Sequence, residues 1–209
     1  MPDPSTLALF VVAALALLVV PGPSVLYIVA RSLHQGRRAG LVSALGVQTG
    51  GLVHVLAATV GISALVLSSA LLFSAVKVLG AFYLVYLGVR TLLAREEVHA
   101  PNLPAPRRLS RVFWQGALVN ALNPKTALFF LAFLPQFVRP ERGPVALQTL
   151  ILGALFLLLA TLSDGTYALL AGTVGKRLQG NRVFARWQKY VTGSVYIALG
   201  IGTVTAGHR

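Results

Sequence analysis

The sequence predicts an all-α integral membrane protein of six transmembrane helices, arranged as two inverted three-helix repeats. Three observations carry that prediction: an apolar composition, apolar runs of membrane-spanning length, and basic residues gathered between the runs. Of 209 residues, 56% are hydrophobic and 11% charged, where a soluble domain carries roughly 25% charged residues. Mean hydropathy is +0.77. The apolar runs are long enough for the roughly 20 residues that a helix needs to cross a bilayer. Six of them with short loops use nearly the whole chain, and no extramembrane domain is expected. The runs must be helices, because an open strand leaves its backbone unpaired in lipid. The alternation that marks a transmembrane barrel is absent.

The first span runs from about Ser5 to Ala30. No Lys or Arg precedes it and Asp3 is acidic, so it reads as a retained helix and not as a cleaved signal, which has a basic leading region. The second span covers about Gly40 to Val66 and the third about Leu71 to Ala94. A polar, proline-rich loop (95–111) follows. The fourth span covers about Val112 to Val138, the fifth about Pro144 to Gly172, and the sixth about Tyr190 to Ala206. The long loop divides a single transmembrane domain into a first half, 1–94, and a second half, 112–209.

Loop charge predicts orientation. Arg31, Arg37 and Arg38 fall in the first loop. Arg95, Arg107, Arg108 and Arg111 fall in the third, and Lys176, Arg177, Arg182, Arg186 and Lys189 in the fifth. The other side carries only Arg139, Arg142 and Arg209. The side rich in Lys and Arg is therefore expected in the cytoplasm, with both termini outside. The net charge of +13 is accounted for by these loops, and nucleic acid is not an expected partner. With no cysteine, disulfides and thiolate chemistry are excluded.

Three spans per half place the second half upside down relative to the first. Each half opens with a helix interrupted by proline: Pro21-Gly22-Pro23 in the first span and Asn123-Pro124 in the fourth. Paired interruptions in inverted halves point to a transporter's central site, although membrane helices also tolerate proline as a plain kink. Proline removes a backbone donor and disturbs the carbonyl one turn back. The freed carbonyls suit an ammonium group, and a half-helix N-terminus suits a carboxylate.

Asp164 is the only carboxylate inside a predicted span. A charge there costs at least about 2.5 kcal/mol, so it usually has a task. It is a candidate to bind a substrate ammonium, to carry a coupling proton, or to pair with Lys125 or a hydroxyl. Thr161 and Tyr167 are expected on its helix face. Lys125, in the middle of the fourth span, is a candidate for a substrate carboxylate or for neutralising Asp164, with the amides of Asn120 and Asn123 nearby. Lys77 and Arg90 are expected to snorkel to the interface. His54 shares a helix face with Gly46 and Gly50. It reads either as a titrating group in transport or as a hydrogen-bonded residue between helices. The two glycines invite close helix approach, within one protomer or between two; a homodimer is a reasonable expectation.

No phosphate-binding loop, zinc-protease motif, nucleophile elbow or acidic Mg²⁺ cluster is present. An enzyme, a metal site and a cofactor are not expected. Without an ATP site, active transport draws on a gradient.

The stretches PGPSVLYIVARSLHQGRRAGLVSALGVQTGGLVH (21–54), KVLGAFYLVYLGVRTLL (77–93), NALNPKTALFFLAFLPQFV (120–138) and GSVYIALGI (193–201) resemble the LysE/RhtB family of amino-acid exporters, of the homoserine and threonine efflux type. The resemblance implies efflux of amino acids from the cytoplasm across the bacterial inner membrane, in exchange for protons. It implies that Pro21, Gly22, Pro23, Asn123, Pro124 and Lys125 lie at or near the transport path. Family members that export basic amino acids tend to carry an acidic residue in the second helix. Here that stretch reads GVQTGG, which favours a neutral or hydroxylated substrate, or a homoserine lactone. A metal-ion exporter of related fold and a membrane scaffold without flux are the rival expectations.

Overall fold

The computed structural model describes residues 2–19, 21–68 and 107–178, with scattered helical positions within 75–93 and 190–201. Among these residues every regular element is helical. The predicted third and sixth spans, with Lys77 and Arg90, lie largely outside the described residues.

Helix α1 (Pro4–Leu18) begins where Asp3 accepts a hydrogen bond from the Thr6 amide at 2.7 Å, with Pro4 in the first turn. This is the usual way to satisfy an orphan amide at a helix start. Pro21-Gly22-Pro23 breaks the path. Gly22 is extended, and Pro23 opens α2 (Pro23–Gln35). The two axes differ by 56°. Gly36, at φ +82°, makes a single-residue corner in the left-handed region that glycine tolerates. Helix α3 (Arg37–Ser68) follows at once.

The second described portion repeats this order. Helix α4 (Leu109–Ala121) stops at Leu122 and Asn123, and Pro124 opens α5 (Pro124–Leu128). That helix runs on through a π turn (Phe129–Phe133) and a 3-10 turn (Leu134–Phe137), at 43° to α4. A corner at Gly143 (φ +128°) leads into the long α6 (Val145–Leu178). Gln148 holds this corner: its amide nitrogen donates to the Arg139 and Gly143 carbonyls, and its oxygen accepts from the Arg139 amide.

The two broken helices run in opposite directions. Asp3, at the start of α1, forms an ion pair with Arg142, beyond the end of the second broken helix. Gln35, at the end of α2, donates to the carbonyl of Arg107, just before α4, at 2.8 Å. Beginning meets end at both faces.

The exposure pattern is that of a protein solvated by lipid. Leu52, Leu56 and Val60 of α3, Leu118 of α4, and Leu158, Leu162 and Leu170 of α6 are exposed. Ser24, Arg31, Ser43, Asn120, Asn123, Gln148 and Asp164 are buried. Water would reverse that distribution. Residues 37–64 and 145–173 are each long and apolar enough to cross a membrane, and each bent pair qualifies as one further span.

Gly46 and Gly50 serve packing within the chain. A Cβ at either would lie 2.1 Å from an α4 carbonyl, of Phe113 or Ala117. Gly116 answers from α4, where a Cβ would lie 2.7 Å from the Ser43 carbonyl. Small residues thus let the two backbones touch. At the Asp3–Arg142 face the core is aromatic. Phe129 stacks on Phe156 at 4.3 Å between centroids, and Phe10 meets Phe137 edge-on at 5.2 Å.

One sequence expectation is corrected here. Arg31 is not in a loop: α2 continues past Ala30 to Gln35, and Arg31 is 2% exposed. The loop shrinks to Gly36 because that glycine alone turns the corner.

Candidate functional site

The two helix breaks lie side by side. A Cβ on Gly22 would come within 2.9 Å of Lys125 Cδ, so the missing side chain of the first break is the space that the lysine of the second occupies. The Asn123 amide donates to Ser24 Oγ at 2.8 Å, and Ser24 Oγ donates to Asn120 Oδ1 at 3.0 Å. Asn120 Oδ1 also accepts from Thr126 Oγ1 at 2.9 Å, while its amide donates to the Val47 carbonyl at 2.7 Å. Asn123 Oδ1 caps α5 by accepting from the Lys125 amide. This network fixes both breaks to each other and to α3.

A cavity of about 40 Å³ opens at this junction, room for roughly three water molecules. Leu17 and Leu18 of α1 line it, with Gly22 and Ser24 at the first break and Asn120, Asn123, Lys125 and Thr126 at the second. Val25 of α2, Val47 and Gln48 of α3, and Phe156, Ala160 and Asp164 of α6 also line it. Asp164 is buried and accepts from Gln48 Nε2 at 2.7 Å. The Asp164 carboxylate and the Lys125 ammonium lie within electrostatic reach of each other. The cavity therefore presents an anion, a cation and a set of amides and hydroxyls in an apolar surround, which suits a small zwitterion.

The prolines explain two contacts that spacing could not. Pro21 has no N–H for the carbonyl four residues earlier, that of Leu17. Lys125 Nζ supplies the donor, at 2.8 Å. Pro124 likewise has no N–H for the Asn120 carbonyl, which accepts instead from the Asn123 amide at 2.9 Å. His54 Nε2 lies 2.8 Å from that oxygen, and facing a carbonyl it carries the proton. His54 stacks on Phe130 at 6.1 Å and lies outside the cavity wall. A side chain thus reaches the carbonyl at each break: Lys125 that of Leu17, and His54, beside the Asn123 amide, that of Asn120.

Of the residues singled out from sequence, Gly22, Asn120, Asn123, Lys125 and Asp164 line the cavity together. Pro21, Pro23 and Pro124 shape the breaks. Thr161, three residues before Asp164 on the same helix, is exposed and its hydroxyl bonds back to the Leu157 carbonyl, away from the cavity wall. Gln48, Ser24 and Thr126 were not anticipated. Each is an ordinary polar residue within an apolar run, and only the fold brings it to the cavity. Among the described residues, no three His, Cys, Asp or Glu side chains gather as metal ligands.

A family model described as LysE type translocator matches residues 15–207. The chain is 32% identical over 208 residues to an uncharacterized membrane protein, YrhP, of Bacillus subtilis, covering 95% of this chain and 98% of the relative. It is 29% identical over 197 residues to an uncharacterized membrane protein of Vibrio cholerae, covering 94% and 95%. It is 30% identical over 188 residues to a homoserine/homoserine lactone efflux protein of Salmonella typhimurium, covering 90% of each. No solved structure matches the chain significantly.

Proposed function

The chain belongs to the LysE type translocator family, and from that premise we propose that it exports amino acids or close derivatives from the cytoplasm. The observation that carries this reading is that Asp164 and Lys125 line one cavity at two antiparallel helix breaks. Asp164 receives the substrate ammonium or a coupling proton, and Lys125 receives the carboxylate or, in a lactone, the ester carbonyl. The lining amides and hydroxyls of Asn120, Asn123, Ser24 and Thr126 suit a neutral or hydroxylated side chain. Homoserine, threonine and homoserine lactone are the expected substrates, in keeping with the name of the Salmonella relative.

The cavity is too small for a whole amino acid, so transport requires the bundle to open. Six spans in two inverted halves, 1–94 and 112–209, would rock about the breaks and expose the cavity to each side in turn. Proton exchange is the expected drive. The Gly36–Arg107 face, which carries Arg37, Arg38 and Arg108, is placed in the cytoplasm, and the Asp3–Arg142 face outside. The host membrane is the bacterial inner membrane.

The test is efflux of a labelled amino-acid panel from preloaded cells, comparing the intact protein with Asp164→Asn. Faster loss of one substrate class that the substitution abolishes supports the reading and names the substrate. Equal loss across the panel, with the protein verified in the membrane, removes amino-acid export in favour of another solute or a scaffold.

A further inference from the structure

Arg31 is buried within a span, and the transport scheme above gives it no task. It lies on a file of polar side chains along one face of α2, at Ser24, Tyr27, Arg31 and Gln35. That spacing keeps residues on a single helix face. Every member of the file reaches across to the second broken helix or its approach. Ser24 bonds Asn120 at the cavity. One turn down, the Tyr27 hydroxyl donates to the Val112 carbonyl at 2.8 Å. Arg31 Nη2 donates to Gln115 Oε1 at 3.2 Å, Nη1 donates to Gln35 Oε1 at 3.0 Å, and the guanidinium lies 5.5 Å from the centre of the Tyr27 ring. Gln35 closes the file on the Arg107 carbonyl.

We propose that Arg31 is the gate residue of the route from the Gly36–Arg107 face to the cavity. The proposal rests on the exporter reading for what passes the gate, but not for the gate itself. The contrast between the two ends of the molecule supports it. Toward the Asp3–Arg142 face, aromatic rings of α1, the second broken helix and α6 interlock. Toward the Gly36–Arg107 face, side-chain hydrogen bonds join α2 to the start of α4. Those bonds can exchange for water as the helices part, and the groups released would line a polar path. Arg31 is its one cation among the four file residues, so an open gate offers a guanidinium to the carboxylate of an incoming amino acid.

The chain has no cysteine, so a single Val47→Cys in the cavity wall reports water access through its labelling by a charged, membrane-impermeant methanethiosulfonate. The reagent is added to vesicles of each orientation. Labelling of Cys at exposed Arg38 identifies the Gly36–Arg107 face. Arg31→Gln and Gln115→Leu should each speed labelling from that face by about tenfold, as a shift toward the open population, and leave the opposite face unchanged. Gln115→Glu strengthens the bond to Arg31 and should slow it. Unchanged rates, or equal acceleration from both faces, would overturn the proposal, the latter because Arg31 would then merely hold the bundle together. If Arg31→Gln fails to reach the membrane, the opposite signs expected for the two Gln115 variants still decide. Labelling needs no substrate, so a gate that responds in a protein without amino-acid efflux would sink the exporter reading alone.

Discussion

The hydroxyl of Tyr167 donates to the carbonyl of Val19 at 2.7 Å, the acceptor four residues before Pro23. This completes a rule seen at both breaks. Pro21, Pro23 and Pro124 each withhold an N–H from one carbonyl, and Lys125, Tyr167 and His54 each donate to one, the Asn120 carbonyl also accepting from the Asn123 amide. In a membrane interior an unmet backbone group is costly, so Lys125 and Tyr167 are structural requirements of the first break, and His54 reinforces the second.

Tyr167→Phe removes only the hydroxyl. It should cost about 1 kcal/mol, read as a lower thermal unfolding midpoint in detergent, with efflux retained. Wild-type stability in this variant would show that Val19 has another adequate donor.

His54 distinguishes support from proton transfer. His54→Gln keeps an N–H donor for the Asn120 carbonyl, whereas His54→Leu does not. The expected result is near-normal efflux with an unchanged pH profile for Gln and loss of stability by about 1 kcal/mol for Leu, since the Asn123 amide still meets that carbonyl. A flattened pH profile in the Gln variant would return His54 to the coupling pathway.

Lys125→Gln should leave the protein in the membrane and abolish efflux. Gln keeps a donor on that side of the break, one bond shorter than Lys, but the cavity loses its cation opposite Asp164. Efflux at the intact rate would remove Lys125 from substrate binding.

Gly50→Ala tests the α3–α4 contact. Its Cβ would lie 2.1 Å from the Ala117 carbonyl, and backbone cannot yield as a side chain can. A loss of at least about 1–3 kcal/mol is expected. Gly61→Ala is the control, because nothing lies within 4 Å of its Cβ position. It should be neutral or stabilise by roughly 0.5–1 kcal/mol through helix propensity.

Much of this architecture was legible in the sequence because lipid imposes few solutions. The long α3 and α6 follow from apolar run length, and both broken helices follow from their prolines. Asp164 and Lys125 stood out because charge is rare in a span. Arg31 was misread because its place one residue past an apolar run looks like a loop, and only the corner at Gly36 shows the helix continuing. Gln48 was illegible for a different reason: a neutral amide in a helix gives no signal until its partner, 116 residues away, is known.

The bond between Lys125 and Leu17 also bears on biogenesis. During synthesis Leu17 enters the bilayer with its acceptor already deserted by Pro21, more than a hundred residues before Lys125 leaves the ribosome. Tyr167 arrives later still for Val19. The nascent first helix is therefore an unfinished client, and it is the insertion machinery, or a transient water, that must shield it until the rest of the chain folds back.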